Sequence, residues 1–166
     1  MKKRVVSIGA VKIGDGYPIA VQSMTKTKTR DINATIKQIR RLERAGCELI
    51  RLAVVNRDDA RALKKIKESV SIPLIADIHF DYRLALQAIE SGVDKVRINP
   101  GNIGADWKLK KVIIRARERH IPIRIGVNAG SLPEGILKNI AILIQGRLWR
   151  LWNIPLNTLM NLILRI

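Results

Sequence analysis

Five times in succession the sequence runs through one plan: a short apolar segment, polar residues at its C-terminal end, then a stretch of helical period. The apolar segments are residues 19–24, 49–54, 73–78, 95–99 and 122–127. Their markers Gln22, Arg51, Asp77, Arg97 and Arg124 lie 29, 26, 20 and 27 residues apart. A period of this length is the signature of successive βα units. Strands rich in Val, Ile and Leu that alternate with helices predict a parallel sheet covered by helices, as an αβ barrel or a doubly wound sheet.

The helical stretches carry their own start and stop signals. Asp31 or Asn33 can cap a helix whose Ile36, Ile39, Leu42 and Ala45 follow helical spacing, and Gly46 supplies the left-handed stop. Asp58 or Asp59 stands before the stripe Ala60, Leu63 and Ile66. Leu84, Ala85, Ala88 and Ile89 make the third stripe, ended by Gly92, and Leu109, Val112, Ile113 and Ala116 make the fourth. Ahead of them residues 4–13 read as a two-stranded ribbon, a lid over the N-terminal end of the sheet.

Charge narrows the partners. Thirty-one Lys and Arg against 14 Asp and Glu leave +17, which favours anionic ligands. Nucleic acid is the weaker reading: aromatics are scarce, the basic residues are interleaved with acids, and no nucleic-acid motif is recognised. The single cysteine excludes a disulfide framework or a multi-cysteine metal site within these 166 residues. Met1-Lys2-Lys3-Arg4 resembles the start of a signal peptide, but no cleavage site follows, and no apolar run is long enough to span a bilayer. A cytoplasmic protein without membrane contact is expected.

In either parallel fold the site lies at the C-terminal ends of the strands. Three of those ends deliver an arginine: Arg51, Arg97 and Arg124. Converging on one mouth, they would clamp a diphosphate through bidentate hydrogen bonds. The alternative is that each pairs with a carboxylate such as Asp77 or Glu48. The run Asn99-Pro100-Gly101-Asn102-Ile103-Gly104 is either an anion-binding loop or an ordinary βα turn. Asp77, His79 and Asp81 alternate and so share one side of an extended strand, as polar substrate contacts rather than metal ligands, because the other strand ends offer Arg and Asn. His120 reads as a surface residue at a helix end and Cys47 as a packed thiol.

The blocks PIAVQSMT (18–25), GCELIRLAV (46–54), PLIADIHFDYR (73–83), RINPGNIG (97–104) and IRIGVNAGSL (123–132) together resemble one family. It is the 4-hydroxy-3-methylbut-2-enyl diphosphate synthases of the methylerythritol phosphate route to isoprenoids. The resemblance runs from residue 4 to about 137. It implies a TIM barrel that binds a cyclic diphosphate, 2-C-methyl-D-erythritol 2,4-cyclodiphosphate. It also implies a C-terminal domain holding a four-iron four-sulfur (4Fe-4S) cluster, ferredoxin or flavodoxin as reductant, and a homodimer. The reaction implied is a two-electron reductive ring opening and dehydroxylation. Arg51, Arg97, Arg124 and Asn128 match motif positions at the diphosphate site. Asp77, His79 and Asn99 fall in the matching blocks at the barrel mouth.

The expected fold is therefore α/β: a partial TIM barrel of about five βα units, with an N-terminal β-ribbon and an atypical C-terminal tail. A closed eight-stranded barrel typically takes about 250 residues. Residues 1–137 form the substrate-binding part and 138–166 a tail. From residue 135 onward there is no acidic residue, helical period is lost, and Trp149 and Trp152 enter, which reads as the product of a shifted reading frame. With the cluster domain absent and no cluster bindable by this chain, the expectation is a truncated, inactive synthase. The alternative is a half barrel that binds a phosphate ligand without catalysis.

Overall fold

The computed structural model describes residues 5–126. Five strands, β3 (Gln22–Met24), β4 (Leu49–Val54), β5 (Leu74–Ile78), β6 (Lys95–Ile98) and β7 (Ile123–Ile125), pair in parallel in the order of the sequence. Ahead of them β1 (Val6–Ile8) and β2 (Val11–Ile13) form an antiparallel ribbon. The crossovers are α1 (Ile32–Arg44), α2 (Arg57–Ser69), α3 (Tyr82–Glu90), the short α4 (Pro100–Ile103) and α5 (Asp106–Glu118). This is the partial TIM barrel expected from the repeat.

Alternation along each strand divides the sheet into two faces. Ile50, Leu52 and Val54 of β4, Leu74, Ala76 and Ile78 of β5, and Val96 and Ile98 of β6 are buried in one cluster with Ile39, Leu63, Ile66, Leu84, Ile89 and Val112 of the helices. Each such aliphatic side chain contributes about 1.5–3 kcal/mol on burial. The other face is the inside of the incomplete barrel. Its lowest positions, Leu49 and Ile75, form a second cluster with Ile8 of the ribbon. The ribbon thus closes the N-terminal end of the inner face, as its sequence suggested.

Helix starts follow local chemistry. Asp31 caps α1, accepting from Ala34 N at 3.1 Å, and Gly46 adopts φ 91° behind its last turn. For α2 the cap is Asn56, which accepts from Asp59 N at 2.9 Å. Asp58 and Asp59 fall inside the first turn, where carboxylates favour the helix dipole. Asp59 is buried, and its two oxygens accept from Arg30 N (2.9 Å) and Val55 N (3.2 Å), joining the loops that follow β3 and β4.

Four strands are shorter than the sequence suggests, β5 and β6 by one residue each and β3 and β7 by more. Residues 19–21 stay outside β3: Val21 N donates to Glu48 Oε2 at 2.8 Å, and Ile19 is exposed. β7 ends at Ile125. The expectations for Asn128, for the boundary at 137 and for the tail 138–166 lie outside the described residues. Among the described residues no helix is long and apolar enough to cross a membrane.

The ribbon turns at Gly9, whose φ is 56°. A Cβ built there would lie 2.8 Å from Asp94 Oδ1 and 3.1 Å from Pro73 Cγ. Asp94 is held in place by Lys67 Nζ (2.5 Å) and Leu74 N (2.8 Å). Gly9→Ala is therefore expected to destabilise the chain by about 1–2 kcal/mol, from backbone conformation and contact together. Urea unfolding measures this, with the neighbouring Ala10→Ser as a control that stays near wild type.

Candidate functional site

The strand register sets the site. Asp77 of β5 is level with Arg97 of β6, and Arg97 with Arg124 of β7. On the other side Asp77 is level with Ala53, and Arg51 stands two residues below it on the same face of β4. The inner face of β4–β7 therefore carries Arg51, Lys95, Arg97 and Arg124 against one carboxylate, Asp77. The three arginines expected at one mouth share one face: Arg97 and Arg124 are level with Asp77, and Arg51, level with Ile75 and Lys95, stands one step nearer the N-terminal end.

Asp77 is 1% exposed and is shared by two of them. Arg97 Nη1 donates to Oδ1 at 2.9 Å, and Arg51 Nε lies 3.2 Å from Oδ2. Met24 Sδ accepts from Arg51 Nε and Nη2 at 3.3 and 3.1 Å. His79 Nε2 is 3.7 Å from Asp77 Oδ2. Arg51 and Arg97 do pair with a carboxylate, but it is one carboxylate for two guanidinium groups. Arg124 is exposed and has no carboxylate partner among the described residues. Both remaining features, the shared acid and the unpaired arginine, leave positive charge facing the mouth.

Gly126 completes the seating of Arg97. It follows β7, and its N–H donates to Ile98 O at 2.8 Å. A Cβ at this position would lie 2.5 Å from Arg97 Nε and Nη2. The Nε–Nη2 edge of the guanidinium therefore occupies the space that a side chain at 126 would take, while Nη1 reaches Asp77. The sequence blocks include this glycine, but its contact with Arg97 spans two strands and is not readable locally.

Other expectations are redistributed. Asn99 is buried, and its side-chain oxygen accepts from Gly101 N at 3.1 Å. It caps α4, so the segment 99–104 is a helical turn rather than an open loop, with Gly104 at φ 90° leading into α5. Asp81 does not join Asp77 and His79: it caps α3, pairs with Arg83 and is held below its usual pKa by that arginine. His120 takes φ 54° behind α5, where its N–H donates to Arg117 O. Cys47 lies at the N-terminal end of β4, opposite the arginines, and packs against the core.

Lys95 was not singled out by sequence reading. It is buried on the inner face two residues before Arg97, and the alternation Lys95, Arg97, Asn99 is its signal. Burial, and after it the charge of Arg124, lowers its pKa from the ordinary lysine value. The charged form therefore costs stability below the folded pKa, and the cost is relieved as pH rises from there toward the unfolded value.

Comparison with known proteins decides the family. The GcpE TIM-barrel domain matches residues 3–147. The chain belongs to this family. The match extends past residue 137, where the motif resemblance stops. The 4-hydroxy-3-methylbut-2-en-1-yl diphosphate synthase (flavodoxin) of Thermodesulfovibrio yellowstonii is 60% identical over 135 residues, 81% of this chain and 39% of that protein. The enzyme of the same name from Fusobacterium nucleatum is 57% identical over 135 residues, 81% of this chain and 38% of that protein. The chain thus spans about two fifths of the length of these relatives. Among solved structures, the 7,8-dihydropteroate synthase of Vibrio fischeri ES114 matches with a TM-score of 0.54 at 11% identity, over 74% of this chain and 50% of that one. That likeness concerns the fold alone.

The GcpE-type domain in hand does not fit an iron–sulfur cluster. Such a cluster is held chiefly by cysteine thiolates, and the chain has one cysteine, on the far side of the sheet from the arginines. Among the described residues no group of three His, Cys, Asp or Glu is placed to hold a metal.

Two substitutions test this geometry. Asp77→Asn leaves Arg51 and Arg97 facing each other without a counter-charge. Breaking a fully buried pair costs about 3–5 kcal/mol; here the arginines keep water contact, and a loss of about 2 kcal/mol in urea unfolding is expected. Gly126→Ala obstructs only the tip of a flexible side chain, so stability should change by less than about 1 kcal/mol. The Arg97 guanidinium must nevertheless leave its seat, which its NMR resonances will report.

Proposed function

We propose that this chain is the substrate-binding part of a 4-hydroxy-3-methylbut-2-enyl diphosphate synthase and that it binds 2-C-methyl-D-erythritol 2,4-cyclodiphosphate at the barrel mouth. The observation that carries this reading is the row of Arg97 and Arg124 in register, with Arg51 one step below and a single carboxylate shared by Arg51 and Arg97. A planar guanidinium whose orientation is already fixed loses less freedom on meeting a phosphoryl group. Asp77 and Gly126 fix Arg97 in this way, and Asp77 with Met24 fixes Arg51. Arg124 contributes an unneutralised charge, and Asn128, which matches a motif position of the family, is assigned to the same ligand. His79 and Asn99 stand beside the same mouth as polar groups for the rest of the ligand.

The relatives are named as flavodoxin-dependent synthases. Reductive ring opening needs an electron source, and the donor set of this chain does not hold a cluster. Binding without turnover is therefore the activity proposed for the 166 residues themselves. Turnover, the 4Fe-4S cluster, the ferredoxin or flavodoxin partner and the dimer are assigned to the full-length synthase, working in the cytoplasm.

Isothermal titration of the chain with the cyclodiphosphate tests the reading. Arg97→Ala and Arg124→Ala should each weaken binding by about 2–5 kcal/mol, the usual loss when one member of a hydrogen-bonded charge pair is truncated. The corresponding Lys variants should recover only part of it, because an ammonium lacks the planar fork. Unchanged affinity in both alanine variants would overturn the clamp.

A further inference from the structure

The charges on the inner face do not balance. Asp77 answers Arg51 and Arg97. Lys95 and Arg124 remain, and among the described residues neither has a carboxylate partner. Lys95 is the more telling, because it is only 9% exposed. Its register partner on β5 is Ile75, which belongs to the apolar cluster beneath the ribbon. The charge nearest in effect is Arg124, which repels it. Its stem is buried and its ammonium, which keeps water contact, is partly dehydrated without a counter-charge; a methionine or leucine would fill the same space without that cost. The lysine stands directly below Arg97, at the foot of the proposed anion site.

We propose that Lys95 is a fourth cation of the anion site, set beneath Arg97 and Arg124, and that its counter-charge is a phosphoryl group of the ligand. Lys95 and Arg124 then supply two free positive charges to the two negative charges of a cyclic diphosphate, while the Arg51–Asp77–Arg97 set supplies directed hydrogen bonds. The inference rests on the diphosphate reading above and adds to it a contact from below the arginine row. A carboxylate brought to Lys95 by chain outside the described residues is the competing arrangement, and it makes the opposite predictions.

The test uses the 166-residue chain with inorganic pyrophosphate as probe, at fixed ionic strength. Lys95→Met is compared with Lys64→Met, which removes the same charge from the exposed face of α2. If Lys95 meets the anion, Lys95→Met weakens pyrophosphate binding about tenfold beyond the Lys64→Met control, and Lys95→Arg stays within a few-fold of wild type. Lys95→Met also raises the thermal midpoint of the ligand-free chain, because an unpaired, partly dehydrated charge has been removed. A lowered midpoint with pyrophosphate affinity equal to the control would show a carboxylate partner and overturn the proposal. The unsubstituted chain gives an independent reading: pyrophosphate should shift the ε-methylene resonance of Lys95 and leave that of Lys64 in place, and an unshifted Lys95 is equally fatal. Should wild type bind no pyrophosphate while keeping its fold, the diphosphate reading itself fails. Binding that is lost in Arg97→Ala but retained in Lys95→Met removes Lys95 alone.

Discussion

One carboxylate organises the inner face. Asp77 is buried on β5, the central strand of five, with an arginine reaching it from either neighbour. Without it, two guanidinium groups would stand in a partly dehydrated space beside the further cations Lys95 and Arg124 and no counter-charge. With it, both are oriented and half neutralised. The compromise leaves net positive charge and ordered guanidinium groups, the two properties on which the proposed anion site rests. Gly126 against Arg97 contributes by its small size, since a side chain there would fill the space that the guanidinium occupies.

The five-unit repeat, the parallel order and the common face of the arginines were legible in the sequence because they depend on periods of two and of one βα unit. Arg97 and Arg124 could be aligned before any coordinates, since each follows its strand's first residues at a similar offset. What escaped depends on contacts between units. β3 loses residues 19–21 because Glu48 captures the Val21 N–H, a partner 27 residues away. Asp81 reads as a companion of Asp77 and His79 only if β5 continues, and the chain instead turns into α3 at that residue. The segment after β6 reads either as an anion-binding loop or as an ordinary βα turn, and Asn99 closes it into a helical turn. Lys95 was visible in alternation with Arg97 but stands at the strand's start, where a lysine usually reaches water.

The loops around the mouth are held by buried acids as well. Asp59 accepts backbone N–H groups from two successive βα loops, so the first two units are joined at the end where the site lies. Thr29 adds a bond to Ala53 O at 2.6 Å, and Gln38 accepts from Lys26 N and Thr27 N. A rigid rim is what a scaffold needs if strand-borne side chains are to hold a ligand in a fixed pose.

The ribbon at the opposite end has an electrostatic consequence. By sealing the lower inner face with Ile8 against Leu49 and Ile75, it places apolar, weakly polarisable matter behind the row of cations. Field lines from Arg51, Lys95, Arg97 and Arg124 are weakly screened in that direction and strongly drawn toward the open, aqueous one. A plug made for packing thus acts as a reflector: it gives the attraction a direction, so that an approaching anion meets the site from one side and its capture rate, as well as its affinity, falls with ionic strength.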